Sequence, residues 1–276
     1  MKRQIASALA LALLMLAAGA LALTGNCVGG NGDAERGSGS DADDGGGGET
    51  DDAGDDNGDD TGDDDTGTPV TTVLVIHDAL DASEAEALAG FLGDLGYSVS
   101  RLQDLDIDAG GVAGYDIIVL TGQTTWDNLT KANLVMNTGA RIFGFFWGGA
   151  RFYDVFNLAL GFYGLYGGTT FDSETDARVV DASDTIWNVP NPIDIPASGL
   201  VTIFSSALNQ SCHAANLTPM PADVQPFAYV PTEYGAYVSV GLEKSLYFYW
   251  GYDTAIENLT DAGRSLLANA MAVLAE

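Results

Sequence analysis

The chain has 276 residues, with 10 Lys and Arg against 39 Asp and Glu and a formal net charge of −29. So acidic a chain is a poor partner for nucleic acid or for an anionic membrane surface. It has two cysteines, Cys27 and Cys212, and no zinc spacing; if Cys27 is lipidated Cys212 is a lone thiol, and otherwise the pair can form one disulfide.

The chain opens with a basic pair, Lys2 and Arg3, and an Ala/Leu-rich apolar run from Ile5 to Leu23. These are the n-region and h-region of an export signal, assigned to residues 1–22. The run is short and has no stop-transfer charges, which favours export over a retained membrane helix. Ala18-Gly19-Ala20 and Ala20-Leu21-Ala22 both offer a small-x-small cleavage site. Leu23-Thr24-Gly25-Asn26-Cys27 resembles a bacterial lipobox, with Asn26 where a small residue is usual, and makes Cys27 the lipidation candidate. A membrane is thus expected as a partner only through an N-terminal lipid. Residues 23–68 read as a disordered acidic linker: fifteen acidic residues and one basic residue, Arg36, lie between 31 and 68. Such a segment buries too little apolar surface to offset chain entropy, and its like charges extend it. The Asp-Asp pairs lack the spacing of a calcium loop, so a solvated spacer is expected, with no metal and no cofactor.

Residues 69–276 carry seven basic and twenty-four acidic residues, a net −17, and are long enough for one sizeable core. Asn-x-Ser/Thr sequons at Asn128, Asn209, Asn216 and Asn258 matter only in a host that glycosylates exported chains. Val73-Leu74-Val75-Ile76 is a continuous apolar strand, followed by His77-Asp78 and a helix over residues 83–95 capped by Asp81 or Ser83. Gly96 breaks that helix before a strand over 98–102, and residues 115–120 form another apolar strand ending in Thr121-Gly122-Gln123. A helix over 127–137, a strand through 142–146 and a helix over 151–160 follow. Strands apolar on both faces and alternating with helices imply an open parallel α/β sheet of the flavodoxin type, with helices on both faces. After Gly161 the chain is strand-rich, with segments at 179–180, 200–205, 227–230, 236–240 and 245–250. It closes with an amphipathic helix over 260–274, capped by Thr260.

The segment Gly144-Phe145-Phe146-Trp147-Gly148 reads as a strand bending sharply into a helix. Such a turn lifts one side chain above the sheet and often holds a nucleophile. Together with Tyr115-Asp116-Ile117-Ile118-Val119-Leu120-Thr121-Gly122, the closing Leu246-Tyr247-Phe248-Tyr249-Trp250-Gly251-Tyr252 and the final helix, it resembles the class I glutamine amidotransferase-like superfamily. Within it, the resemblance is to the ThuA-like and galactosidase-trimerisation-like branch, over residues 70–275. That family's elbow reads Gly-x-Cys-x-Gly, with a histidine after a late strand. Here Phe146 stands at the cysteine position, and Trp250-Gly251-Tyr252-Asp253 holds no histidine. The resemblance therefore implies the fold without glutamine hydrolysis by that route.

His77, Asp78, Gln123, Phe146, Trp147 and Asp253 are expected along the carboxyl-terminal edge of the strands, where open α/β sheets bind ligands. His77 and Asp78 are neighbours on an extended segment and point to opposite faces, so His77 is expected to bond the loop rather than pair with Asp78. Cys212-His213 lies in a segment rich in Ser, Asn and Ala, read as a solvated loop or disulfide stub. Trp126, Trp147 and Trp250 are each expected at a strand end, as a stacking rim for sugars or, the favoured reading, as core; Phe143, Phe145, Phe152, Phe156, Phe162 and Tyr163 read as core. The expected protein is an exported, surface-tethered, non-catalytic domain binding a small molecule, a glycan or a cell-surface protein. The alternatives are a carbohydrate- or amide-processing hydrolase using His77, Asp78 or Asp253, and a sugar-binding domain.

Overall fold

A computed structural model describes residues 70–161, 168–206, 211–233 and 237–276. The export signal, the linker with Cys27, the Asn209 sequon, and Phe162 and Tyr163 lie outside the described residues. No helix among the described residues is long and apolar enough to cross a membrane.

The strands are β1 (Thr72–His77), β2 (Ser98–Gln103), β3 (Ile117–Leu120), β4 (Arg141–Phe145), β5 (Gly168–Asp172), β6 (Asp176–Val179), β7 (Leu200–Thr202), β8 (Ser211–Asn216), β9 (Val224–Tyr229), β10 (Tyr237–Glu243) and β11 (Tyr247–Trp250). The helices are α1 (Ala82–Asp94), α2 (Leu129–Met136), α3 (Phe146–Val155) and α4 (Asp261–Ala275). All strands join one sheet, ordered β2-β1-β3-β4-β11-β10-β9-β6-β7, with β8 paired to β10 and β5 to β8. The first five strands of that order are mutually parallel. Counting β11 as the fifth, this is the 2-1-3-4-5 order of flavodoxin-like sheets. From β10 onward every pairing is antiparallel, so the parallel half carries an antiparallel extension built by the strand-rich half of the chain.

Successive side chains of the buried strands go to opposite faces. Val73, Val75, Ile117 and Val119 pack with Leu88 and Leu92 of α1 and Leu266, Leu267 and Met271 of α4. Leu74, Ile76, Ile118 and Leu120 pack on the other face with Ala132 and Val135 of α2 and Phe152 and Tyr153 of α3. Each fully buried aliphatic or phenyl side chain contributes about 1.5–3 kcal/mol.

Two local expectations differ from the structure. Asp81 makes no capping bond to α1, because a 3-10 turn (Ala79–Asp81) feeds straight into that helix and Asp78 caps the turn through Leu80 N–H at 2.8 Å. Helix α3 begins at Phe146 rather than at Arg151, directly after β4. Thr260 does cap α4, its hydroxyl accepting from Gly263 N–H at 3.0 Å.

The glycines at the start of α3 are required by close approach. A Cβ on Gly149 would lie 2.4 Å from the Gly144 Cα, and one on Gly148 would lie 1.9 Å from the Thr121 carbonyl oxygen. Gly90, in α1, has nothing within 4 Å. Gly149→Ala is therefore expected to cost about 1–3 kcal/mol or more through overpacking against backbone, while Gly90→Ala gains about 0.5–1 kcal/mol. Urea unfolding of both variants checks this; equal shifts in the same direction would contradict it.

Candidate functional site

The loops after β1, β3, β4 and β11 meet at the carboxyl-terminal edge of the parallel sheet. The bend between β4 and α3 sets their arrangement. Phe145 is extended at φ −89°, and Phe146 sits at φ +40°. The left-handed region costs a non-glycine residue about 1–2 kcal/mol, and such a conformation persists where surrounding contacts over-determine it. Two hydrogen bonds to Gly148 supply such contacts: its N–H donates to the Gly122 carbonyl at 2.9 Å, and Trp126 Nε1–H donates to its carbonyl at 3.0 Å. Tyr153 braces the bend from beneath, its hydroxyl donating to the Phe248 carbonyl at 2.6 Å. The apex side chain is a phenyl ring, 8% exposed.

Gly122 is the hub on the β3 side. Its N–H donates to Thr254 Oγ1 at 3.0 Å, and a Cβ on it would lie 3.4 Å from Phe146 Cβ and 3.6 Å from Asp253 Oδ1. Phe146 and Asp253 thus meet at one side of Gly122. Asp253 accepts from Thr254 N–H at 2.6 Å, yet burial outweighs that bond and pushes its carboxyl up. Glu84, in the first turn of α1, is raised from 4.5 to about 7 by burial first and then by the charges of Asp253, Asp81 and Glu257. Asp81 is buried; one carboxylate oxygen accepts from Gln123 N–H at 3.2 Å and the other has no hydrogen-bond partner. These four carboxylates form no group able to hold a metal among the described residues.

On the other side lies a shallow cleft of about 270 Å³, lined by Asp78, Gln123, Thr124, Thr125, Trp147 and Arg151, among others. The Arg151 guanidinium lies 5.2 Å from the Trp147 ring centroid, a cation–π contact. Asp78, Gln123 and Trp147 are therefore brought together, as the sequence suggests, whereas His77 does not line the cleft. The His77 ring nitrogen Nδ1 lies 2.9 Å from the Asp78 carbonyl oxygen, and the Asp78 carboxylate is engaged with Leu80. This is the loop-bonding histidine expected, not a base oriented by Asp78.

Three expectations are settled by packing. Trp126, Trp187 and Trp250 are buried core residues, which leaves Trp147 as the rim tryptophan. The Cys212-His213 segment is not a solvated loop but strand β8, with both residues fully buried. Among the described residues Cys212 has no disulfide partner, and burial pushes its thiol well up. His213 N–H donates to the Gly251 carbonyl at 2.7 Å, so β8 pairs with the chain just after β11. The His213 ring is lowered to about 3 by burial, its Nδ1 lies 3.4 Å from Thr170 Oγ1, and that oxygen accepts from Trp147 Nε1–H at 3.3 Å. A neutral imidazole thus stands behind Trp147, two hydrogen-bonding steps away.

Glu84, Arg151 and Thr254 are residues around the rim that sequence reasoning missed, and His213, read there as part of a loop, lies buried behind it. Only Arg151 had a readable signal: it lies four residues after Trp147, a stacking spacing once the helix is known to start at Phe146.

The Glu84 shift has a direction that can be measured. Between pH 4.5 and 7 the folded chain holds a proton that the unfolded chain has released, so stability falls as pH rises through that window. Glu84→Gln is expected to flatten that fall, leaving the variant more stable than wild type at about pH 8 and similar at about pH 4. Urea midpoints measured across pH check it; parallel curves would contradict it.

No protein-family model and no curated protein matches this chain. Among solved structures, a putative ThuA-like protein from Bacteroides uniformis superposes with a TM-score of 0.53 at 14% identity, covering 75% of this chain and 92% of that one. A putative GMP synthase protein from Thermoplasma acidophilum gives 0.49 at 16% identity, over 75% of this chain and 96% of its own. A glutamine amidotransferase from Thermotoga maritima gives 0.42 at 10% identity, over 76% and 100%. With its parallel 2-1-3-4-5 core and the bend between β4 and α3, the described domain has the class I glutamine amidotransferase-like fold.

Proposed function

We propose that this is an exported, surface-tethered domain that binds a small polar ligand at the carboxyl-terminal rim of its sheet and does not carry out covalent hydrolysis there. One observation carries the reading. The strained apex of the β4–α3 bend is kept at φ +40°, yet its side chain is Phe146, which has neither a lone pair nor an ionisable proton. Nucleophilic catalysis needs an activated nucleophile with a base in reach. The two histidines do not meet that need: His77 is turned onto a backbone carbonyl, and His213 is fully buried and held neutral.

The cleft beside Phe146 favours binding instead. Asp78, Gln123, Thr124 and Thr125 supply polar groups of both senses, and Trp147 with Arg151 supplies a flat wall. A few convergent polar groups on one shallow concavity suit recognition of a polar small molecule. Export and tethering rest on the signal at residues 1–22, on Cys27 and on the acidic spacer up to residue 68, which would hold the domain away from a membrane.

One set of assays tests both halves. Expressed in a bacterium fed labelled palmitate, the full chain is expected to take up label and to lose it in Cys27→Ala; an unlabelled wild type would sink the tether. Purified, it is expected to turn over no amide, ester or glycoside from a chromogenic panel. Turnover abolished by Asp253→Asn or His77→Ala would overturn the binding reading.

A further inference from the structure

We propose that the turns after β1, β2 and β3 form a protein-docking surface, and that its partner carries apolar side chains set among lysine or arginine. This goes beyond the cleft and does not rest on a ligand being bound there. The starting observation is three leucines that the fold leaves in solvent: Leu80 is 87% exposed, Leu105 71% and Leu129 58%. Single exposed leucines are ordinary. Leu80 and Leu105 come just past the carboxyl ends of β1 and β2, and Leu129 opens α2 at the end of the loop that follows β3, so all three belong to connections leaving the same edge of neighbouring parallel strands.

The three turns are bound to one another. Lys131 Nζ–H, from the first turn of α2, donates to the carbonyls of Asp104 at 2.9 Å and Leu105 at 2.6 Å, tying the β2 turn to the helix that begins at Leu129. Leu80 and Thr125 line the same cleft, which joins the β1 turn to the β3 loop. The backbone around the leucines is also fixed by local hydrogen bonds. Asp78 Oδ1 accepts from Leu80 N–H, the Leu105 carbonyl accepts from Lys131, and Asn128 Oδ1 accepts from Thr130 N–H at 3.0 Å, fixing the start of α2. A backbone already fixed loses little freedom on binding, a condition that favours exposed leucines as anchors.

Charge selects the occupant. Asp78, Asp106, Asp108 and Asp127 lie next to the leucines along the chain, and the two cations there are engaged, Lys131 with carbonyls and Arg151 with the Trp147 ring. The chain's own residues 31–68, with fifteen acidic residues to one basic, match the sign of this surface and are repelled by it, and a second copy of the −17 domain is repelled likewise. A basic, leucine-bearing segment matches both features.

The test uses the full chain and a fluorescent amphipathic leucine–lysine peptide, with alanine–lysine and leucine–glutamate peptides as controls. The leucine–lysine peptide is expected to bind saturably and more weakly as salt rises. The triple variant Leu80→Ser/Leu105→Ser/Leu129→Ser is expected to bind it about tenfold more weakly or worse, with an unchanged circular dichroism spectrum and unchanged, weak binding of the alanine–lysine peptide. Single Leu→Ser variants cover the case in which the triple variant fails to fold, each expected to give part of the loss. Absence of saturable binding, equal binding by wild type and variants, or equal binding of the leucine–glutamate peptide would overturn the proposal. So would a wild-type dimer in light scattering that the triple variant abolishes, since the surface would then serve a second copy.

Discussion

Everything at the rim depends on a contact between two backbones. The first turn of α3 lies so close to β4 that Gly149 and Gly144 nearly touch, and Gly148 lies against the carbonyl of Thr121 in the β3 loop. No side chain larger than hydrogen fits at these points, so the helix can start only as a sharp bend. That bend puts residue 146 at a positive φ and aims it across Gly122 toward Thr254 and Asp253. The strain, about 1–2 kcal/mol for a non-glycine, is borne by the packing of three glycines and the hydrogen bond from Gly148 to Gly122. The bend is therefore a property of how the helix seats on the sheet, whatever residue stands at its apex.

Around that fixed point the two halves of the sheet close on each other. The chain after β11 continues as a partner of β8, and Gly251 has no room for a Cβ because the His213 carbonyl oxygen would lie 2.1 Å from it. The antiparallel extension thereby delivers a buried histidine behind Trp147 without exposing it to solvent. Burial holds that imidazole neutral, and burial also lifts Glu84 and Asp253. Desolvation thus governs the ionisation of Glu84, Asp253 and His213 around the polar cleft.

The central parallel strands were legible because they must be apolar on both faces, and Val73-Leu74-Val75-Ile76 and Ile117-Ile118-Val119-Leu120 have no polar position to mislead. Thr260 was legible as a cap because its position before an amphipathic run has a local cause. The start of α3 was not, since Gly148-Gly149 looks like a turn and only tertiary contact makes glycine necessary inside a helix. Strand β8 was hidden for a related reason. Ser211-Cys212-His213-Ala214-Ala215-Asn216 carries few residues with strand preference, and it becomes a buried strand because Gly168 and Gly251 allow its neighbours to approach. Of the rim residues named from the sequence, Asp78, Gln123 and Trp147 converge on the cleft and Phe146 and Asp253 on Gly122, while His77 turns away. Glu84 and His213 carry perturbed ionisation that arises from elements far apart in the chain, and no local pattern announces it.

The central claim is that the bend is a requirement of the fold and that catalysis does not follow from it. Restoring a thiol in Phe146→Cys and assaying ammonia release from glutamine tests this most directly. The variant is expected to fold, to show its new thiol to a thiol reagent and to release no ammonia above buffer, because His77 is turned onto the Asp78 carbonyl and His213 is buried. Glutamine turnover by that variant, abolished again by removing His213 or His77, would contradict it.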